Sequence, residues 1–407
     1  MKILFITDSF YPEIGGVERV CLETGRALAG LGHRVTVLSK HVEGAPQEEE
    51  IHRMRVLRYP YSRRWVPWTY LTSIRSSRRA ARLLDESERF DVVHCHLTLS
   101  SVGPVRLFGG RDRPALIAGF YGPWHREFRI ESQDLLERSG PAYRMYMEAL
   151  MRRQRKWQRG ILESAARIIA LSGYSSDRIR ELAPSVDPQR VCLIPGGVDA
   201  HRFAPGGDKH EIRSRLGIPE GRFVLLSVRR LARRMGLENL LEAVRFLRGT
   251  GREYFLIIGG SGPLEESLKR QAKESGIEDL VRFVGRIPDE DLASYYRAAD
   301  LFVLPTVQEE NFGLVILEAL ACGCPVVATP TGSIPEVLGR FGEMFLCSGT
   351  GPGEIAERIN WAKDHYDKVE WKVKREISPM VRKEHSWERI AEKTAAVYSE
   401  VAGGEGR

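Results

Sequence analysis

The densest group of residues able to do chemistry lies at 305–332, PTVQEENFGLVILEALACGCPVVATPTG. Glu310 and Glu318 are eight residues apart, so on a helix they lie about two turns apart and could line one side of a cleft. Carboxylates are hydrogen-bond acceptors, which suits them to sugar or ribose hydroxyls. The stretch Phe312–Leu314 begins the predicted helix, where backbone N–H groups can hold a phosphate. Taken alone, the segment is better explained as a helix with acidic residues near its start, and the surrounding motifs are what favour a binding site.

Arginines form a second candidate site. Four of them lie in SVRRLARRMG at 227–236, directly after a predicted strand. A guanidinium can bind a diphosphate through two parallel hydrogen bonds. The alternative is a solvated basic loop.

Glycines follow two other predicted strands. Gly15 and Gly16 come after the first strand, and Gly262 lies in GGSGPLEE at 259–266. Glycine allows a backbone to approach a diphosphate closely, although any strand-to-helix turn can use it. Neither G-x-G-x-x-G nor a P-loop pattern occurs, which argues against a nicotinamide enzyme and a P-loop NTPase.

Alternating strands and helices must position these residues. Helical periodicity separates the predicted strands, for example at 17–31, 237–247 and 264–275. Short apolar runs predict seven strands and then five more, at 2–7, 34–39, 54–58, 91–95, 115–119, 167–171 and 190–194, and at 223–228, 254–258, 281–284, 300–305 and 325–329. The pattern predicts an α/β protein with parallel sheets covered by helices.

Two doubly wound domains fit twelve strands better than one sheet does. The stretch 204–221 is polar and rich in proline and glycine, which predicts a linker between them. Ligands of open α/β sheets bind outside the carboxyl ends of the strands, so we expect the active site in a cleft between the domains.

Composition narrows the class of protein. The 407 residues, 43% hydrophobic and 28% charged, indicate a globular protein of two or three domains. The chain has no apolar run of membrane-spanning length, and its first apolar run stops at Thr7-Asp8, so we expect a cytoplasmic protein. Six cysteines without zinc-ligand spacing are expected to be reduced thiols.

The charge is uneven along the chain. Residues 1–200 carry a net charge of +8 and residues 201–407 a net charge of −1. A basic N-terminal half suits an anionic membrane, nucleic acid or an acidic substrate. The alternative is that part of the arginine excess reflects genomic codon bias.

Together these motifs resemble glycosyltransferase family 4, retaining enzymes of the GT-B fold that use nucleotide-sugar donors. The resemblance covers nearly the whole chain, and its most specific part is EENFGLVILEALACGCPVVAT at 309–329, similar to the family's Glu-x7-Glu element. Its other parts are SFYPEIGGVERV, LSGYSSDRI, IPGGVD, VRRLARRMGLENLLEA, GSGPL and VRFVGRIPDEDLASYYRAADLFVLPT. It implies two facing Rossmann-like domains with an interdomain cleft. Residues 1–200, with a crossing helix at about 385–401, would bind the acceptor, and residues 201–384 the nucleotide sugar.

By position, the resemblance implies roles for single residues. Glu310 would hold the transferred sugar, Glu318 the ribose, and Arg230 the diphosphate. Glu310 and Arg230 are therefore expected to be catalytic. The other donor contacts that the resemblance implies are Gly16, Gly262, Arg286, Ile287, Phe312, Gly313 and Leu314.

One departure concerns the diphosphate. The family usually has a lysine five residues after the arginine, and this sequence has Met235 there. A thioether cannot neutralise phosphate, so Arg234 or Arg233 is expected to replace the lysine, and Arg234 joins the expected catalytic residues.

A second departure concerns the acceptor side. Tyr121 stands where the family often has histidine, so Tyr121 or His125 is expected to take that role, with His96 as a further contact. His94 and His96 share a strand face, but a metal site needs a third ligand and none is evident, so no metal is expected. His94 is expected to be a core or rim residue with its hydrogen bonds satisfied.

The expected function is retaining transfer of a hexose from a UDP- or GDP-linked donor to a glycan or lipid-linked acceptor, without a cofactor. The alternatives are a sugar-nucleotide epimerase or phosphorylase of the same fold, or a basic membrane- or nucleic-acid-binding module. The sequence has no nucleic-acid-binding motif, so no such partner is expected. Basic, aromatic stretches at 59–82 and 143–160 predict peripheral attachment to the inner face of the cell membrane.

Overall fold

The computed structural model describes residues 1–12, 15–110, 114–251 and 253–403, whose strands form two sheets. The predicted α/β architecture is confirmed, because neighbouring strands are parallel throughout both sheets except at one edge pair. Residues Met1–Gly196 and the segment from Trp387 onward form one compact unit, and Gly197–Ser386 form the other.

The first unit contains an eight-stranded sheet with the order β3-β4-β2-β1-β5-β6-β7-β8. Residues Ile3 to Ile6 of its central strand are fully buried, as is typical of parallel strands covered on both faces. The strands are β1 (Lys2–Ile6), β2 (Arg34–Lys40), β3 (Glu48–Ile51), β4 (Met54–Tyr59), β5 (Val92–Cys95), β6 (Ala115–Phe120), β7 (Arg167–Ala170) and β8 (Val191–Leu193).

Helices connect most of these strands, with a 3-10 turn at Pro188–Arg190 before β8. They are α1 (Gly16–Gly30), α2 (Val66–Glu88), α3 (Thr98–Phe108), α4 (Trp124–Glu131), α5 (Gln133–Arg138), α6 (Pro141–Ser164) and α7 (Gly173–Leu182).

The second unit contains a five-stranded sheet with the order β11-β10-β9-β12-β13. Its strands are β9 (Phe223–Val228), β10 (Tyr254–Gly259), β11 (Val281–Gly285), β12 (Leu301–Leu304) and β13 (Val326–Ala328). Leucine and isoleucine side chains of α9 and α14 pack against this sheet in one buried cluster.

The helices of the second unit include short 3-10 turns at Arg233–Met235, Glu278–Leu280 and Glu343–Phe345. The α-helices are α8 (Lys209–Arg215), α9 (Leu237–Arg248), α10 (Glu265–Glu274), α11 (Asp289–Ala298), α12 (Leu314–Ala321), α13 (Ile334–Gly339), α14 (Pro352–Asp364), α15 (Tyr366–Lys372) and α16 (Ser378–Glu384), with a π-helical turn at Val373–Ile377 between the last two.

The last helix, α17 (Trp387–Ala402), belongs to the first unit. It packs against α1, and its Tyr398 hydroxyl lies 2.6 Å from Nδ1 of His94 in β5. The chain therefore leaves the first unit after β8 and returns to it at α17.

The sequence prediction missed β3. This strand reads EEEI and pairs antiparallel with β4 at the edge of the sheet. Three consecutive glutamates carry no apolar alternation, and charged residues of this kind are typical of protected edge strands.

The predicted linker at 204–221 is wrong in part, because it contains α8. The Asp208 side chain accepts hydrogen bonds from two backbone N–H groups of the first turn, which caps the helix. Lys209 and Arg213 each lie 2.6 Å from the buried carboxylate of Asp300, which also accepts from the Val224 N–H at 2.7 Å. The segment is thus anchored to the second unit.

Candidate active site

Parallel pairing places the carboxyl ends of β9 to β13 along one edge of the second sheet. The arginine loop follows β9, the glycine turn follows β10, and Arg286 and Ile287 follow β11. The segment with Glu310 follows β12. The fold of this unit therefore brings the predicted donor-binding motifs to the edge where open α/β sheets bind ligands.

A buried ion pair joins the ends of β9 and β12. Nη2 of Arg229 lies 3.2 Å from Oε2 of Glu310, and Nη1 donates to Oγ1 of Thr306 at 2.8 Å. The Thr306 hydroxyl donates to the same Glu310 oxygen at 3.2 Å. Burial lowers the pKa of Arg229 to about 10, against the opposing effect of Glu310, so the guanidinium stays charged at neutral pH. We call these three residues the Arg229 cluster.

Arg234 fixes the loop that carries Glu310. Its Nη1 donates to the carbonyl oxygen of Glu309 at 2.7 Å, and its own carbonyl accepts from the N–H groups of Val307 and Gln308. Glu309 has a left-handed backbone with φ of 50°, which is uncommon for a residue other than glycine. The guanidinium of Arg234 thus holds a constrained turn next to Glu310.

Gly313 ends this loop and starts α12. Its φ of 77° is a conformation that glycine adopts at little cost, and Leu314 is then the first helical residue. Phe312 is buried beside it. The first N–H groups of a helix have no acceptor within it, so this edge presents a helix start suited to an anion.

The second carboxylate of the Glu-x7-Glu element, Glu318, is buried on α12. The hydroxyl of Tyr296, on α11, donates to its Oε2 at 2.9 Å. Burial raises the pKa of Tyr296 well above its usual value, so this hydroxyl keeps its proton. Tyr296 therefore orients Glu318, a role that sequence spacing gave no reason to expect.

The remaining predicted donor residues differ in exposure. Arg230 and Arg286 have exposed side chains, whereas Ile287 is buried. A Cβ at Gly262 would lie 2.4 Å from the carbonyl oxygen of Leu231. Packing of the glycine turn against the arginine loop therefore requires glycine at this position, with or without a ligand.

Gly16 is the first residue of α1, at the carboxyl end of β1 in the first unit. Among the residues that the structure describes, a Cβ here would meet nothing within 4 Å, so their packing does not require glycine at this position. Glu18 folds back onto the helix start, where it accepts hydrogen bonds from the Gly15 N–H, at 3.0 Å, and from the Ser9 hydroxyl. Any anion that bound at this helix start would have to displace the carboxylate of Glu18.

His96 and Tyr121 are brought together at the carboxyl edge of the first sheet. The Tyr121 hydroxyl lies 2.8 Å from Nδ1 of His96, and the two rings stack. Burial lowers the pKa of His96 well below its usual value and that of His94 to about 3, so both rings are neutral at pH 7. His94 is a core residue, as expected, and bonds to Tyr398.

His125 lies in α4 and lines a cavity of about 100 Å³. Arg126, Arg155 and Arg178 line the same cavity, and Glu181 forms ion pairs there with Arg126 and Arg178. His125 thus lies among basic groups of α4, α6 and α7, whereas Tyr121 pairs with His96.

Metal-binding side chains are not clustered in the part of the chain that the structure describes, which holds no group of three or more suitable residues. All six cysteines are in that part and are free thiols, five of them buried. Burial raises the pKa of Cys95 and of Cys324 to about 12, so these thiols stay protonated and are poor metal ligands at neutral pH.

The sequence reasoning missed Arg229, Thr306 and Tyr296. The arginine was visible as one of four in the loop, but spacing cannot tell which of them is buried against Glu310. Its position directly after β9 is the one available indication, because the first residue beyond a central strand is still covered by its neighbours.

Two family models match the chain. The model for glycosyl transferases group 1 matches residues 208–375, and the model for Glycosyltransferase Family 4 matches residues 14–202. Together they cover most of both units.

Curated relatives and solved structures agree with these matches. A D-inositol 3-phosphate glycosyltransferase from Catenulispora acidiphila is 30% identical over 404 residues, 95% of this chain and 90% of that protein. A mannosylfructose-phosphate synthase from Agrobacterium fabrum is 30% identical over 338 residues, 79% of this chain and 72% of that one. Among solved structures, sucrose-phosphate synthase from Thermosynechococcus elongatus matches with a TM-score of 0.81 and 23% identity, over 99% of this chain and all of that one. Anabaena HepE in complex with UDP-glucose matches with a TM-score of 0.77 and 21% identity, over 98% of this chain and all of that one.

Proposed function

Because the chain belongs to glycosyltransferase family 4 and is a glycosyltransferase of the GT-B type, we propose that it transfers a hexose, with retention, from a UDP- or GDP-linked donor to an acceptor hydroxyl. The observation that carries the proposal is the Arg229 cluster at the same sheet edge as the start of α12. Fixed positive charge and a helix start suit a leaving diphosphate, and a carboxylate held by two donors suits a sugar hydroxyl.

In this proposal, the donor diphosphate lies between the arginine loop and the start of α12. Glu310 accepts a hydrogen bond from the transferred sugar, and Glu318 from the ribose. The bond from the sugar to phosphate breaks while the acceptor oxygen bonds to the same face of the sugar. A departing phosphate oxygen takes the acceptor proton, so the step needs neither a side-chain base nor a metal. The chain's contribution is to stabilise charge that grows on the diphosphate.

A thermal-shift screen with UDP, GDP and ADP sugars tests donor binding, since a bound ligand raises the melting temperature by mass action. Release of the nucleoside diphosphate with formation of a glycosylated product then tests transfer, and NMR of the anomeric proton tests retention. Conversion of the donor sugar without an acceptor would favour an epimerase, and the absence of any nucleotide effect would contradict the proposal.

For the acceptor, we propose a lipid-linked or envelope glycan at an anionic membrane surface. Trp65 and Trp68, at the start of α2, are 60% and 41% exposed, and Met145 on α6 is 71% exposed. Arginines flank them in the sequence, and Tyr70 of α2 packs into a cluster with α6. Exposed aromatic and basic side chains suit a membrane interface. In the described part of the chain, every helix is too short or too polar to cross a membrane.

A soluble phosphorylated acceptor is the second candidate. It is favoured by the names of two relatives, a D-inositol 3-phosphate glycosyltransferase and a mannosylfructose-phosphate synthase. Incubation with the identified donor separates the candidates, with membrane lipid extract in one arm and inositol phosphates or hexose phosphates in the other. Product in the soluble arm alone would contradict the lipid-linked acceptor.

A further inference from the structure

Met235 stands at the position where glycosyltransferase family 4 usually has a lysine, and in the structure it contacts Arg229. Met235 is buried in the 3-10 turn Arg233–Met235. Its Sδ lies 2.7 Å from Nη2 of Arg229. The guanidinium of Arg229, at the end of β9, therefore contacts the side chain that replaces the family's usual lysine.

The guanidinium of Arg229 is held in place from several sides. Its side chain is only 5% exposed, and it contacts Thr306, Glu310 and the Met235 sulfur. A neutral thioether allows this approach, whereas a lysine at 235 would put a second positive charge beside the first. Residues 229 and 235 are thus physically coupled.

One donor of Arg229 has no acceptor among the described residues. Its Nε is buried and makes no hydrogen bond within the described residues, although a buried N–H group of a cation normally has an acceptor. A purely structural ion pair with Glu310 leaves that N–H unexplained. An anionic oxygen of a ligand would satisfy it.

We infer that Arg229 supplies the positive charge at the donor diphosphate that the family usually takes from a lysine. The inference rests on the proposed function. A cation from another residue is needed there because Met235 is neutral. Arg234, one of the two arginines that the sequence suggested for this role with Arg233, uses Nη1 to hold the carbonyl of Glu309 and acts as a positioning residue for the loop. Arg229 belongs to the arginine loop expected to hold the diphosphate and contacts the carboxylate expected to hold the sugar, so it can stabilise charge on the leaving group.

Calorimetric titration with UDP and GDP, and with the matching nucleosides, tests the inference. Arg229→Ala is expected to weaken binding of the preferred diphosphate by about 10- to 100-fold, as expected for the loss of a charged contact, and to leave nucleoside binding unchanged. The double variant Arg229→Ala/Met235→Lys restores a cation at the family's usual position and is expected to recover most of the diphosphate affinity. Met235→Lys alone should not improve binding, because it crowds two cations.

The matched control is Arg222→Ala. Arg222 immediately precedes β9, at the opposite end of that strand from Arg229, and its Nε lies 3.9 Å from Glu253. The Arg222→Ala variant should bind both the nucleoside and the nucleoside diphosphate with wild-type affinity. Arg229→Lys, which keeps a charge, is expected to fall between wild type and Arg229→Ala, and it covers the case in which the alanine variant does not fold.

Two results would overturn the inference without touching the proposed function. One is an Arg229→Ala variant whose affinities for nucleoside and diphosphate change equally, and the other is a double variant that recovers no diphosphate affinity. A wild-type protein that binds no nucleoside diphosphate would overturn the proposed function together with the inference.

Discussion

Replacement of Glu310 by glutamine changes the charge of the proposed sugar contact and little else. Glutamine has the same shape and keeps one acceptor oxygen. In the native protein the Thr306 hydroxyl and the Arg229 guanidinium each lie 3.2 Å from Oε2 of Glu310, and both can still donate to the amide oxygen. Glu310→Ala would remove the hydrogen-bond acceptor of Arg229 as well as the charge, at a cost of about 3–5 kcal/mol. An alanine variant would therefore confuse lost catalysis with lost stability.

The expected magnitudes separate the two effects. Weakening one hydrogen bond to a buried charged group should lower the free energy of unfolding of Glu310→Gln by about 1.5–3 kcal/mol. Loss of an interaction that tightens in the transition state should lower kcat by about 100-fold or more, equivalent to about 2.7 kcal/mol. Affinity for the free nucleoside diphosphate should change little, because the carboxylate is assigned to the sugar.

Urea unfolding, calorimetry and turnover at saturating donor measure the three quantities. Glu274→Gln, an exposed carboxylate at the end of α10, is the control and should match the wild type in each. The reasoning is refuted if Glu310→Gln remains folded and its kcat stays within about threefold of the wild-type value.

Three further predictions concern other parts of the molecule. Burial lowers the pKa of His94 to about 3 and that of His96 well below its usual value, so between about pH 6.5 and pH 5 only the unfolded state gains these protons, and the free energy of unfolding should fall by about 2 kcal/mol for each histidine; urea unfolding at both pH values measures this, and an unchanged stability would contradict it. Asp300→Asn leaves Arg213 of α8 with a neutral partner, while Lys209 keeps Glu370 at 3.7 Å, and it should destabilise the second unit by about 1.5–3 kcal/mol in the same assay, where a loss below about 0.5 kcal/mol would show that α8 is not anchored this way. The double variant Trp65→Ser/Trp68→Ser should reduce co-sedimentation with anionic vesicles at low salt, while Trp371→Ser, an equally exposed tryptophan of the second unit, should not; if wild-type protein ignores anionic vesicles, the membrane proposal fails.

Strand positions were predictable because buried parallel strands are continuous apolar runs. Each of the twelve predicted segments overlaps a strand in the structure, with ends that differ by at most one residue. The missed strand β3 is polar and gains its place from pairing with β4, which is a tertiary effect. Helix α8 was hidden by the glycines and prolines around it, although Asp208 is a typical capping residue.

The motifs of the candidate site were also predictable, but the use of each side chain was not. Strand order placed the arginine loop and the Glu310 segment at one sheet edge. Which arginine turns inward depends on the neighbouring segment after β12, and the sequence does not encode that packing locally. Arg229 became visible only through its contacts with Thr306 and Glu310.

The return of α17 to the first unit sets an order of events during synthesis. His94 and its partner Tyr398 are 304 residues apart, and the whole of the second unit is translated between them. The second unit can bury its own core as soon as it leaves the ribosome, whereas the first sheet must wait for α17 to cover α1. Until then the face of α1 that α17 covers stays exposed to solvent. The first unit is therefore translated first but completed last.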